Sequence, residues 1–481
     1  MTNPSIPIPI PRLRPSPAVT LTVVLAGFLT LPMLMSGTTV AMPRIGADLN
    51  AAGASLQWVV SGYFLAVASF GLVAGSLGDL FGRRRVFVAG LSVYLVGVTL
   101  SAAAPTILAL DVARVVSGVG GGAVMTTGAA ILAQTFTGRA RNRAFAAMGT
   151  IAGVGMAVGP TLSGLLVELL DWRLTFALFA VVAAAMLTGT LFMAPGRREG
   201  RPRIDKAGVA TFVAGLAALM YGVTQGAKSA WTDAVPLTVG AAALALLAAF
   251  VLIERKVKTP VLDLALLRDR GFLGWLLAAV TLAVGVSGLL VSLPGYLQGA
   301  GGVSPRTAGL MMLMMTVPIL VVPQIAAFLI NKGVPARALI GVALLAIAGG
   351  NAWLTTLSAD LTGLLGPLAL IGAGNGLAAG MIDAQAMGRV SPDRVGMASG
   401  LLGTIRGAGN ALVMSAFGAV LIALTARAGD PEAAARAVSG KAEPALTGAL
   451  TDAWHAVSWA TAALAAAGAL TVIALLRVRK P

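Results

Sequence analysis

The stretch Gly75–Arg85, GSLGDLFGRRR, sits between two apolar runs, and its reading decides the class of fold. Trp58 to Ala74 before it is almost wholly apolar, and Val86 to Ala104 after it is apolar again. Neither flank can face water. The loop therefore joins two membrane helices and leaves Arg83, Arg84 and Arg85 on the cytoplasmic surface, where anionic lipid and the insertion bias hold basic side chains. Gly75 and Gly82 carry no Cβ, which lets two helix ends approach and the chain reverse sharply. Asp79 stands four residues before Arg83, the favoured acid-first order on one helical face. Its carboxylate could equally accept from the free N–H groups at the start of a neighbouring helix. Such a cluster reads as a latch, whose charged contacts hold one conformation and separate for another. An ordinary basic turn is the plainer alternative.

Composition makes the membrane the solvent of the whole chain. Of 481 residues, 57% are apolar and only 11% are charged, and the mean hydropathy is +0.90, far from a soluble domain. The apolar runs exceed the roughly 20 residues that cross a bilayer as a helix, and the alternation of a barrel strand is absent. The expected fold is thus an all-α polytopic bundle. Fourteen spans are placed at 18–42, 56–77, 86–104, 106–134, 143–168, 172–194, 207–227, 235–254, 272–297, 306–330, 337–357, 362–388, 396–425 and 450–476. With the N-terminus inside, cytoplasmic segments hold 25 of the 34 Lys and Arg residues and external loops hold 7, with Arg114 and Arg406 inside spans. That asymmetry predicts both termini in the cytoplasm, and it accounts for a net charge of +16 without nucleic acid.

Three charges lie at depth. Counted from Pro105, Arg114 is roughly 14 Å into span four, where a guanidinium costs at least about 2.5 kcal/mol unless it faces protein or a wet cavity. Asp383 is roughly 9 Å inside from Arg389, and Arg406 lies near the middle of span thirteen. A desolvated acid with an arginine near it can load and release a proton, whereas an Asp at the membrane edge paired with Arg389 or Arg394 would be structural. Gly118, Gly120, Gly121 and Gly122 imitate a dinucleotide loop, but no strand precedes them, so close helix packing is the better account. The pairs Gly149/Gly153 and Gly155/Gly159 give span five a smooth face, and Pro160 predicts a kink there. Met311 to Met315, MMLMM, could line a pliable cavity, although core or lipid-facing methionine is commoner. The external loop 426–448 reads as solvated, and His455 as interfacial.

Gly75-x-Leu77-x-Asp79-x-x-Gly82-Arg83-Arg84 resembles the signature loop between the second and third helices of the major facilitator superfamily. The resemblance implies two pseudo-symmetric six-helix halves, a central cavity open to one side at a time, and a loop that stabilises the outward-facing state. Leu110 to Val124 is similar to the family's arginine-plus-glycine signature, in which Arg114 is tied to proton movement. Gly155-x-x-x-Gly159-Pro160-x-x-Ser163-Gly164 looks like the motif of the exporting branches, with Ser163 for the usual glycine. The fourteen-span drug:proton antiporters carry D-x-T-I-V-N-x-A-L-P at the end of helix one. Anchored on Ala41 and Pro43, this chain has Leu34 for the acid and Thr39 for the Asn, and Asp383 is the acid that would serve instead. Leu293 to Pro305 again resembles that subfamily, and an inserted helix pair between the halves is part of its plan. Thr38, Thr39, Tyr296, Gln298, Met311 and Met315 are the candidates to line the substrate cavity.

The expected organisation is a cytoplasmic tail at 1–17, an N-terminal half at 18–196, a linker with two extra helices at 197–260, a C-terminal half at 261–476 and a tail at 477–481. The halves repeat directly: GAGNG at 372–376 answers GVGGG at 118–122, while NKGVPAR at 331–337 is placed like the opening loop but lacks its Asp. No GxxxxGK[ST] loop is present and there is no cysteine, so nucleotide hydrolysis and thiol chemistry have no basis. One His and no clustered acids leave no metal site and no catalytic dyad. The chain is expected to be no enzyme and to need no cofactor beyond a proton gradient. Its partners would be a small-molecule substrate and membrane lipid, with no nucleic acid or nucleotide, and the protein a monomer. An excess of Arg over Lys with abundant Ala and Gly points to a bacterial plasma membrane. The expected function is export of small, largely apolar compounds such as drugs and antibiotics in exchange for protons. An uptake or uniport carrier and a non-transporting sensor are the competing readings.

Overall fold

The computed structural model describes residues 16–51, 53–193, 205–226, 233–257, 262, 264–303, 305–356, 363–378, 380–391, 394–438 and 444–477. These are helical almost throughout, with no strand among the described residues. Among them, twelve helices are long and apolar enough to cross a membrane, and Ala207–Leu219 is a shorter apolar helix. The densest basic run, 197–206, lies largely outside the described residues.

One group of helices packs at the N-terminal end of the chain: α1 (Pro17–Asp48), α2 (Gly53–Phe81), α3 (Arg83–Ala102), α4 (Ile107–Thr135) and α5 (Gly138–Gly189). Gly82, at φ 98, makes the reversal between α2 and α3, a conformation that L side chains rarely adopt. The run α5 is 52 residues long, far more than one crossing requires. Its backbone stays helical through Pro160 and departs from helix at Asp171, φ 73 and ψ 161. The sequence places the bend at Pro160. A proline inside a helix forfeits one hydrogen bond and can be carried within a bundle, whereas the chain must actually turn back at the bundle end, where Asp171 sits.

The pair α6 (Lys206–Gly226) and α7 (Ala234–Glu254) follows, packed on each other. The second group comprises α8 (Arg270–Gly299), α9 (Pro305–Thr316), α10 (Pro318–Asn331), α11 (Ala336–Leu354), α12 (Leu365–Ala378), α13 (Met381–Met387), α14 (Val395–Thr425), α15 (Pro431–Val438) and α16 (Thr447–Arg477). Two sequence spans are each built from two helices here. Pro318 has no N–H to continue α9, so α10 starts afresh, and α12 is separated from α13 at Gly380, φ 71. The segment 426–448, expected as a solvated loop, instead carries α15, capped by Asp430 through a 3.0 Å bond from the Ala433 amide and with Ala434 and Ala437 buried.

Candidate functional site

The Asp79 latch is formed, and it joins the two groups. From the last turns of α2, the Asp79 carboxylate accepts from Arg83 Nη2 at 2.8 Å and Nε at 3.0 Å. It also accepts from two backbone amides at the start of α14, Gly396 at 3.0 Å and Met397 at 2.7 Å. Amides in the first turn of a helix have no partner within it and carry its positive pole, so an anion is held there by both hydrogen bonding and dipole. Arg83 is buried and its Nη1 also reaches the Ala130 carbonyl of α4 at 3.5 Å. Arg84 donates to the Thr190 carbonyl at 2.8 Å, tying the same loop to the far end of α5.

Close approach of α2 and α14 needs glycine on both. A Cβ on Gly396 would lie 2.5 Å from Asp79 Oδ1 and 2.6 Å from the Gly75 carbonyl oxygen, and one on Gly400 would lie 2.6 Å from the Gly71 carbonyl oxygen. The seam continues with Ser399 donating to the Thr126 carbonyl at 3.0 Å and Thr404 to the Ala68 carbonyl at 2.8 Å. A second seam runs between α5 and α10. Asn142 Nδ2 donates to Asn331 Oδ1 at 2.9 Å, and Gly153 faces Ile319. At the Asp79 end the two groups are therefore shut against each other.

The glycine signatures divide their work. Gly155 and Gly159 receive α1 at Leu29 and Met33, and Gly153 receives α10. In α4, Gly118 and Gly122 face the backbone of α2 and Gly120 faces α3, the helix packing that the sequence suggested. Gly149 lies within α5; the side-chain surroundings of Pro160 and Gly164 lie outside the described residues, as do those of Thr39 and Gln298.

Arg114 is wholly buried. Its Nε donates to the Val59 carbonyl at 3.1 Å, and its guanidinium carbon lies 4.3 Å from the centre of the Tyr63 ring and 5.6 Å from that of Phe176. Asp383 and Arg406 form an ion pair, Nη2 to Oδ2 at 2.6 Å, with the acid buried and a third of the arginine side chain exposed. Asp383 is thus held by Arg406 rather than by Arg389 or Arg394. The break at Gly380 places the acid in the first turn of α13. Thr38 is buried and donates to its own helix at the Leu34 carbonyl, 2.6 Å away. Tyr296, Met311 and Met315 are buried in the apolar core of the second group, with Tyr296 stacked on Trp454 at 4.7 Å.

Sequence reasoning missed a further contact at the other end of the first group. Asp48, at the end of α1, binds Arg173 and accepts from Trp172 Nε1 at 3.2 Å, while Arg173 also reaches the Ala104 carbonyl at 3.2 Å. The side-by-side Asp-Trp-Arg at 171–173 was the available signal. The Arg173 guanidinium holds the exposed Asp48 carboxyl below its ordinary value of 3.8. No group of three or more His, Asp or Glu side chains gathers as metal ligands among the described residues.

Two helix groups apposed through glycine seams, with buried charges at the joints and helices long and apolar enough to cross a membrane, make a polytopic membrane bundle. The chain belongs to the Major Facilitator Superfamily, whose model matches residues 24–414. It is 34% identical over 414 residues to a puromycin resistance protein of Streptomyces alboniger, covering 84% of this chain and 82% of that protein. It is 35% identical over 402 residues to a cephamycin export protein of Amycolatopsis lactamdurans, covering 80% of each. A multidrug resistance protein of Mycobacterium tuberculosis is 32% identical over 387 residues, 80% of this chain and 72% of that one. In fold, the chain is similar to a proton:xylose symporter of the superfamily, with a TM-score of 0.66 at 13% identity over 94% of both chains. The protein is accordingly a multi-pass plasma-membrane protein and a secondary-active transporter of small molecules, not an enzyme.

Proposed function

We propose that the protein exports small hydrophobic or amphipathic compounds, drugs and antibiotics among them, in exchange for protons by rocking its two groups about a central cavity. The observation that carries the reading is the Asp79 carboxylate on the α14 amides, a contact that can part without unfolding either helix. Gly75, Asp79, Gly82, Arg83 and Arg84 form the gate at the cytoplasmic end, and the closed seam there corresponds to an outward-facing state. The named relatives that confer resistance or export antibiotics support the direction of transport. Asp383 and Arg406 serve as a coupling pair, because a proton on the acid releases its hold on the arginine, and Arg114 supplies fixed positive charge in the first half. Thr38, Thr39, Tyr296, Gln298, Met311 and Met315 remain the candidate cavity residues.

The chain on this reading has fourteen crossings, α5 counting as two on either side of Asp171 and α6 with α7 as an inserted pair. The halves are 18–196 and 261–476, the linker is 197–260, and the tails 1–17 and 477–481 are cytoplasmic in a bacterial monomer that needs neither cofactor nor nucleotide. Labelling of single cysteines in both tails from the external side would refute that orientation.

Reconstituted liposomes with an acidic lumen test the function, with puromycin as probe. Uptake against its own gradient, abolished by a protonophore, is the expected result. Uptake indifferent to the protonophore would replace exchange by uncoupled carriage, the reading that Leu34 in place of the helix-one acid favours.

A further inference from the structure

Asp111 and Arg114 stand three residues apart on α4, and both carry buried polar atoms with no partner. On Asp111 it is Oδ1, an acceptor; on Arg114 they are Nη1 and Nη2, both donors. The hydroxyl of Tyr94, which reaches the same region from α3, is a further buried group without a partner. Val59 takes only the Nε proton of Arg114, and the Tyr63 and Phe176 rings cover the guanidinium without accepting in its plane. The two Arg114 nitrogens are therefore buried donors with no acceptor in contact, an arrangement that buried groups rarely tolerate. The missing acceptor is one helical turn away. Side chains on a helix lean toward its N-terminus, so Arg114 leans over the turn that carries Asp111, and residues three apart are neighbours.

We propose that Asp111 is a proton-carrying acid of this transporter, taking the Arg114 donors when ionised and relinquishing them when protonated. It gives the first half the acid that Leu34 denies to helix one. The step moves one proton from water to a carboxylate oxygen and breaks only hydrogen bonds; the guanidinium keeps its charge throughout. The inference rests on the proton-exchange reading above. Of the charged groups on the helices packed against α4, Arg85 of α3 and Arg139, Arg143 and Asp171 of α5 are exposed, and Arg141 of α5 keeps a buried Nε without a partner. Asp48 of α1 binds Arg173 of α5, Asp79 of α2 binds Arg83 of α3, and Asp383 of α13 binds Arg406 of α14; Arg44 of α1 is exposed.

Two measurements on the purified full chain test this. In infrared difference spectra, acidification should raise a carboxylic-acid C=O band that is absent from Asp111→Asn and displaced in Asp111→Glu. In the puromycin liposomes, Asp111→Asn should lower gradient-driven uptake at least fivefold, with Asp111→Glu recovering most of it. An unchanged band in both variants overturns the inference even if Asp111→Asn is poorly folded, since Asp111→Glu alone must shift it. Protonophore-sensitive uptake in the native chain that Asp111→Asn leaves intact overturns it too. A native chain that shows the Asp111 band but no protonophore-sensitive uptake instead overturns the exchange reading, and the transport role of Asp111 with it.

Discussion

Among the acid–arginine pairs of the described residues, Asp79–Arg83 and Asp48–Arg173 differ in what they join. Asp79 and Arg83 are nine-tenths buried or more, and through Gly396 and Met397 the acid links the first helix group to the second. Asp48 and Arg173 are exposed by about 46% and 36%, and they bind α1 to α5 within the first group alone. Under the rocking proposed above, the first contact would join bodies that move and could control their motion, whereas a contact inside one body can only brace it. Burial sharpens the contrast, because an exposed pair is largely screened by water and salt.

The largest effect is therefore expected from Asp79→Asn. Removing one partner of a buried, hydrogen-bonded pair costs about 3–5 kcal/mol, which under the rocking proposed above would fall on the closed conformation and shift its population by more than about a hundredfold. The chain has no cysteine, so Leu72→Cys, at a position wholly buried beside the seam, gives a clean probe. Its modification by a water-soluble maleimide should accelerate strongly in the Asp79→Asn background; an unchanged rate would mean that the latch does not hold this end shut. Gly396→Ala should act in the same sense but less, since overpacking by one methyl against the carboxylate costs about 1–3 kcal/mol and displaces the acid without removing its charge. The smallest effect belongs to Asp48. Its folded value is lowered, so its contribution is fully present above the ordinary carboxylate range and is lost as pH falls through the lowered value. Thermal unfolding should thus show the same small gap between the native chain and Asp48→Asn from about pH 8 to pH 5, closing only in stronger acid. A gap that opened near neutrality would show that another group controls it.

Much of the fold was legible because lipid admits so few backbone solutions: an apolar run of helical length bounded by arginines has one reading. The latch was legible on one side only. Asp79 and Arg83 announce themselves by spacing, and an acid seeking helix-start amides was foreseeable in kind. The particular amides were not, since Gly396 and Met397 offer backbone groups that leave no mark in the sequence beyond a glycine. The partner of Asp383 was misjudged in the edge-paired alternative for a related reason. Arg389 and Arg394 are near in sequence, but the left-handed turn at Gly380 restarts the helix and points the acid at Arg406, twenty-three residues on. Asp111 was overlooked although it lies beside the most conspicuous buried arginine, because no motif marks it and only the absence of partners does.

The inserted pair adds a mechanical consequence. Helix α6 touches α2 and α14 together, while α7 leans on α6 and turns Leu237, Leu244 and Leu252 outward. Under the rocking proposed above, α2 and α14 are the rails that separate, so α6 must ride with one and slip along the other on every turnover. The stacked rings of Trp58 and Tyr221, 6.0 Å apart, couple α6 to α2. That coupling would make the slip plane the α14 side, and the inserted pair a passenger of the first half.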